Sequence, residues 1–163
     1  MVNVFSGEIY AANIAIADEW IAGVGKEYTD GKEVLDLSGF YLLPGLINGH
    51  FHLESSLPAP VEYARLALAH GTTTVILDPH EIANVLGLPG IQALLDASKD
   101  LPLDYFFMAP SCVPATPLET AGAFIPSIDV EKLLQNKRVL GLAEMMNYPG
   151  VLRKDPEVLK KIQ

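Results

Sequence analysis

Cysteine is nearly missing from this 163-residue chain, which holds only Cys112. No intrachain disulfide framework can form, so burial of apolar surface must hold the fold, and a reducing compartment is the simplest setting. Basic residues are also scarce: 11 against 20 acidic ones, for a net charge of −9. A chain with no basic patch has nothing to neutralise a phosphate backbone, which argues against a nucleic-acid partner. Long apolar runs are absent too. The longest uncharged stretches, around Leu37–Leu53 and Tyr105–Leu118, are broken by Pro44 and by Pro110, Pro114 and Pro117. Neither reads as a membrane span. Met1–Tyr10 carries no basic cluster and already contains Glu8, which is unlike a secretory leader. A cytoplasmic protein with no membrane partner is expected.

What remains is the composition of a soluble globular protein, half apolar and 19% charged, with enough residues for one real core. No short repeat or low-complexity tract interrupts it. Residues 1–43 read as short strands: Val2–Phe5, Ile9–Ile16, Trp20–Val24, Glu33–Leu37 and Tyr41–Leu43. Gly7, Gly23, Gly25, Gly31 and Gly39 punctuate them. Loose two-fold alternation there predicts a small antiparallel sheet with one buried face.

From Pro44 the rhythm changes. Strands are predicted at Leu46–Phe51, Thr72–Leu77, Leu103–Met108 and Val139–Ala143. Helices are predicted at Pro60–Ala69, Gly90–Ser98, Val130–Gln135 (capped by Asp129 or Ser127) and Asp155–Ile162. Pro60 lies near a helix start and Gly71 just past a helix end, as each residue prefers. Strands alternating with helices mean a parallel α/β sheet with right-handed crossovers. Pattern alone allows either a small doubly wound sheet or half of an eight-stranded barrel.

Four segments carry chemistry. In Pro44–His52, residues i and i+2 of a strand share a face, so His50 and His52 project side by side. Two neighbouring imidazoles suit a divalent transition metal. A strand end can equally carry two unrelated polar residues. Glu144 stands where the fourth strand of residues 44–163 should end. Its carboxylate could bridge cations, or could simply be a solvated acid. Asp78-Pro79-His80-Glu81 follows the second of those strands. It reads as a substrate or ligand-orienting group, or as a turn opening a helix. Ser111–Pro117, stiffened by prolines, suits a substrate wall. Nothing in the sequence places a base beside Cys112, which therefore reads as an inert thiol. His70, at the far end of the first helix, reads as structural or solvent-facing.

Taken together and in order, the segments Gly49–Ser56, Asp78–Val85, Ser111–Pro117 and Glu144–Gly150 resemble their counterparts in adenine deaminases of the bacterial and archaeal type. These are metal-dependent hydrolases of the amidohydrolase superfamily. The histidine pair after Pro44-Gly45-Leu46-Ile47 marks the superfamily; the Asp78–Val85 and Glu144–Gly150 segments narrow it. The resemblance implies the first half of a (β/α)8 barrel over residues 44–163, preceded over 1–43 by part of a small β-sandwich domain. It implies metal ligation by His50, His52 and Glu144, catalytic roles for His80 and Glu81, and substrate contacts at Glu54, Asp78, Ser111 and Asn147. The implied reaction is hydrolysis of adenine to hypoxanthine and ammonia by a metal-activated hydroxide at a binuclear centre of manganese or iron, with zinc as an alternative.

The pattern has departures: Asn48 where aspartate is common, and Ala143 and Tyr148 where glycine and phenylalanine are usual. Further histidines on later strands, and an aspartate on the eighth, would complete such a site. The 163 residues are accordingly expected to have little activity alone, and the full-length protein to be a homo-oligomer. Two other readings stand beside this one. The first is an amidohydrolase acting on a cyclic amide, like dihydroorotases or hydantoinases, although those often carry lysine at the position of Glu144. The second is a non-catalytic metal-binding half-barrel. The Cys-rich zinc deaminase design is excluded, because one cysteine cannot supply its Pro-Cys-x-x-Cys element.

Overall fold

The structure, a computed structural model, describes residues 1–163. It divides into two compact units, Met1–Pro44 and Gly45–Gln163, each described by itself.

The first unit holds one antiparallel hairpin, β1 (Asn13–Ala17) and β2 (Trp20–Gly25), paired from Asn13↔Gly25 to Ala17↔Trp20 with an irregularity at Ala15/Ile16. The tight turn puts Asp18 at φ 54, a left-handed conformation that aspartate tolerates better than most residues. An isolated bridge joins Val2 to Ile9, and Val2 N–H donates to the Leu42 carbonyl at 2.8 Å. The strands predicted at Glu33–Leu37 and Tyr41–Leu43 do not form. Val34, Leu35, Phe40 and Tyr41 are exposed. Alternation favours a strand only where a partner strand and a facing surface exist.

The second unit is a parallel sheet in the order β3-β4-β5-β6, made of Leu46–Phe51, Thr72–Leu77, Asp104–Ala109 and Val139–Leu142. A doubly wound sheet reverses its strand order at a switch point. Here the strands follow one another in chain order, as successive barrel strands do. The two faces differ. Val75, Leu77, Tyr105, Phe107 and Ala109 are buried against Ala64 and Ala67 of α2 (Pro60–Ala69), Ile91, Leu94 and Leu95 of α4 (Leu88–Ala97), and Val130 and Leu133 of α5 (Ser127–Leu134). Phe51 stacks on Tyr63 of α2 with centroids 4.5 Å apart. The Tyr105 hydroxyl donates to the Pro60 carbonyl at 2.6 Å. Burial, with a smaller contribution from Tyr63, raises the Tyr105 pKa above the ordinary phenol value. The pleat then turns Asn48 and His50 to the face opposite Phe51.

Two short helices were not anticipated, α1 (Leu53–Ser56) and α6 (Tyr148–Leu152), and the Asp78-Pro79 turn opens a third, α3 (His80–Leu86), as one reading of that segment allowed. Each occupies a strand-to-helix connection and is too short to show a periodic apolar face. α5 begins at Ser127, earlier than the predicted Val130, and neither Asp129 nor Ser127 caps it. Pro126 is its N-cap. Glu157 of α7 (Pro156–Ile162) instead accepts from Ser127 N–H at 2.9 Å and from the Ser127 hydroxyl at 3.1 Å. Asp155 caps α7 by accepting from the N–H groups of Glu157 and Val158. No helix is long and apolar enough to cross a membrane.

Two outcomes are expected. Phe107, fully buried at the centre of the sheet, should cost about 3–5 kcal/mol as Phe107→Ala in urea unfolding. The hydrogen bonds from Ser127 hold the Glu157 pKa below its ordinary 4.5. Because the folded value is the lower one, this contribution is present above 4.5 and is lost as pH falls through the folded pKa. Thermal melts of Glu157→Gln should therefore show a shallower acid loss of stability below about pH 4.5 than the parent, read as Tm against pH.

Candidate metal centre

The site is built at the carboxyl ends of the strands. His50 is on β3 and His52 follows it as the N-cap of α1. Their rings meet edge-on at 82°, with centroids 4.8 Å apart and Nε2 atoms 3.1 Å apart. His52 Nδ1 lies 3.0 Å from the Asp78 carbonyl oxygen. Carrying the ring proton there, it donates to that carbonyl and leaves Nε2 as a lone-pair donor. Past β6, Ala143 N–H donates to the Ala109 carbonyl at 2.8 Å, and Glu144 follows. Its Oε1 is 3.6 Å from His50 Nε2 and 3.7 Å from His52 Nε2. Three atoms separated by 3.1, 3.6 and 3.7 Å lie on a circle of radius roughly 2.0 Å, which is the bond length from zinc to an imidazole nitrogen or carboxylate oxygen.

The Asp78–Glu81 segment closes one side. Asp78 is 1% exposed. Its Oδ2 is 3.0 Å from His80 Nδ1, but the angles do not make a hydrogen bond, so both Asp78 oxygens and His80 Nδ1 are buried without a hydrogen-bond partner. The His80 ring packs 4.7 Å from that of His52. Donor atoms within 4.8 Å of one another form three overlapping groups: His50, His52 and Asp78; His52, His80 and Glu81; Asp78, His80 and Glu144. No lysine or arginine pairs with Asp78, Glu81 or Glu144. A buried carboxylate without a counter-charge is costly. These overlapping groups, whose carboxylates pair with no basic side chain, therefore fit a divalent cation, and the nitrogen and oxygen donors suit a transition metal.

The other residues singled out in the sequence fall around this centre. Glu54 Oε1 accepts from Ile82 N–H at 3.0 Å in the first turn of α3, while its Oε2 is buried and unpartnered. Glu81 accepts from the Ser55 hydroxyl at 2.6 Å. Ser111 is 2% exposed and donates to the Glu144 carbonyl. Asn147 is 8% exposed and caps α6 by accepting from Gly150 N–H at 3.1 Å. The buried Cys112 thiol lies 3.2 Å from Met146 N, which donates to it. Asn48 Oδ1 accepts from His50 N–H at 3.4 Å. His70 is exposed at the C-terminal end of α2. Sequence reasoning missed Ser55 and Lys161. The Lys161 ammonium donates to the carbonyls of Ser111 and Ile125 at 3.0 and 2.6 Å. In the sequence it is one of two adjacent lysines at a polar helix end, which gives no signal.

Residues 41–162 match the model of the amidohydrolase family. An adenine deaminase of Dehalococcoides mccartyi (strain CBDB1) is 59% identical over 162 residues, 99% of this chain. One from Clostridium acetobutylicum is 52% identical over 163 residues, 100% of the chain. One from Kosmotoga olearia is 52% identical over 164 residues, also 100% of the chain. The chain spans 28% of the length of each of these relatives.

Metal analysis after dialysis should find divalent metal retained by the parent and reduced in His50→Ala, His52→Ala and Glu144→Gln. His70→Ala, remote from the cluster, should match the parent. Equal retention in all five proteins would contradict ligation by these side chains.

Proposed function

Because the chain belongs to the amidohydrolase family, we propose that it forms part of an enzyme that hydrolyses adenine to hypoxanthine and ammonia. The observation that carries this reading is the triangle of His50 Nε2, His52 Nε2 and Glu144 Oε1, with sides of 3.1, 3.6 and 3.7 Å. The names of the similar proteins support the substrate. Glutamate rather than lysine at position 144 speaks against the cyclic-amide hydrolases.

A divalent metal held by His50, His52 and Glu144 would supply Lewis acidity and a lowered water pKa. We assign it as manganese or iron in a binuclear centre, with zinc as the alternative. The remaining work belongs to side chains. Water adds its oxygen to the ring carbon bearing the amino group, that carbon–nitrogen bond breaks, and the amino nitrogen leaves as ammonia with one proton from the water, the other remaining on the oxo product. Asp78 turns its carboxylate toward His80 Nδ1. His80 can then hold a proton at Nε2 for the departing nitrogen, with Glu81 beside it as the second acid-base group. Asp78 and Glu54 keep unpartnered oxygens that can accept from the N–H groups of a purine. The Ser111 hydroxyl and Asn147 Oδ1 are engaged by Glu144 and α6, and these two residues shape the wall of the substrate site. The net charge of −9 is compatible with a small neutral base and disfavours nucleic acid as partner. A cytoplasmic enzyme of adenine catabolism, homo-oligomeric at full length and without a membrane partner, fits these features.

The test is adenine turnover by the full-length protein bearing this segment, followed as ammonia release and hypoxanthine formation. His80→Ala should lower kcat by about 10²–10⁴-fold while metal content stays at the parent level. Ammonia released only from cyclic amides, or metal bound without any turnover, would overturn the adenine assignment.

A further inference from the structure

Glu144 is held by an irregular stretch of chain. β6 ends at Leu142 and α6 begins at Tyr148, and between them the backbone bonds are Ala143 N–H to the Ala109 carbonyl and Tyr148 N–H to the Met146 carbonyl, neither of which engages Glu144. A ligand set works only when its members are held within about 0.5 Å of the productive geometry. Something else must therefore hold this backbone.

We propose that Ser111, Cys112 and Lys161 form a positioning brace that fixes the main chain of Glu144, so that its carboxylate meets His50 and His52. The proposal rests on Glu144 being a metal ligand. The Ser111 hydroxyl donates to the Glu144 carbonyl, and the Cys112 sulfur accepts from Met146 N–H at 3.2 Å. Two adjacent side chains from the loop after β5 thus grip the residue itself and the residue two places on. Both are buried, so neither bond competes with water. The loop is in turn held from behind. Lys161 on α7 donates to the Ser111 carbonyl at 3.0 Å and to the Ile125 carbonyl at 2.6 Å, and Ile125 N–H donates to the Val113 carbonyl at 3.1 Å.

Burial pushes the Lys161 pKa below the ordinary lysine value, with Cys112, Glu157 and Asp155 pulling the other way. An ammonium that gives up water to bond two carbonyls makes charge-assisted, directional contacts. Lys161 contacts none of the three proposed ligands and acts through the carbonyls of Ser111 and Ile125. The brace explains why a serine and a cysteine stand together at a strand's carboxyl end without a base nearby. Their partners are main-chain atoms of the next strand's loop.

The test uses the full-length protein stripped of metal and titrated with zinc(II) against a chromophoric chelator, with the melting of the metal-free form measured in parallel. Ser111→Ala should bind zinc about 10–100-fold more weakly, the range for lost groups that orient ligands, and Lys161→Met about tenfold more weakly. Ser111→Thr, which keeps the hydroxyl, should restore affinity. Ser98→Ala, which loses the hydroxyl contacts with Leu95 and Arg138, should lower the melting temperature and leave zinc affinity unchanged. If Ser111→Ala does not fold, Lys161→Met alone decides. Folded variants that bind zinc as tightly as the parent would overturn the brace alone. A parent that binds no zinc would overturn the ligand assignment, and the brace with it.

Discussion

Three lone-pair donors from two strands that are not neighbours point at one small volume. His50 and His52 come from the end of β3, and Glu144 follows β6, three strands further along the sheet. Asp78, buried beside His80 with no basic residue in reach, carries a desolvation cost that a nearby cation would offset. Much of the local architecture can be understood as holding these groups against their preference to separate: the His52–Asp78 carbonyl contact, the Ser55–Glu81 bond, and the grip of the β5 loop on Glu144.

The sheet makes this convergence possible. In a parallel sheet with every strand running the same way, all carboxyl ends lie on one rim, and connections there are free to carry polar groups. The buried face, centred on Val75, Leu77 and Phe107, anchors the strands to α2, α4 and α5. The pleat leaves the alternate residues, His50 among them, to the other face. Core and site thus divide a strand's side chains between them, and the apolar packing of one set fixes the positions of the other.

The histidine pair was legible in the sequence because its spacing is the strand's own two-residue period, and a Pro-Gly turn announced the strand. The four parallel strands and α2 were legible for the same reason, as strong runs bounded by Pro60 and Gly71. Glu144 was legible only through family resemblance. Its partnership with His50 spans nearly a hundred residues, and no local pattern encodes that. The burial of Asp78 and the roles of Ser55 and Lys161 were not legible, because each depends on which loops lie side by side. The opposite error arose in residues 33–43. Apolar alternation there suggested strands, but these residues join no strand ladder in the structure. α1 and α6 escaped because helices of one or two turns draw their stability from their caps and surroundings, as Asn147 shows for α6.

Convergence of His50, His52 and Glu144 on one cation is tested most directly by X-ray absorption at the zinc edge of the zinc-loaded full-length protein. Convergence predicts nitrogen and oxygen scatterers at about 2.0 Å, with outer-shell imidazole scattering that weakens in His50→Ala and again in the double variant with His52→Ala. A spectrum without imidazole scattering, or one showing sulfur from Cys112, would contradict it.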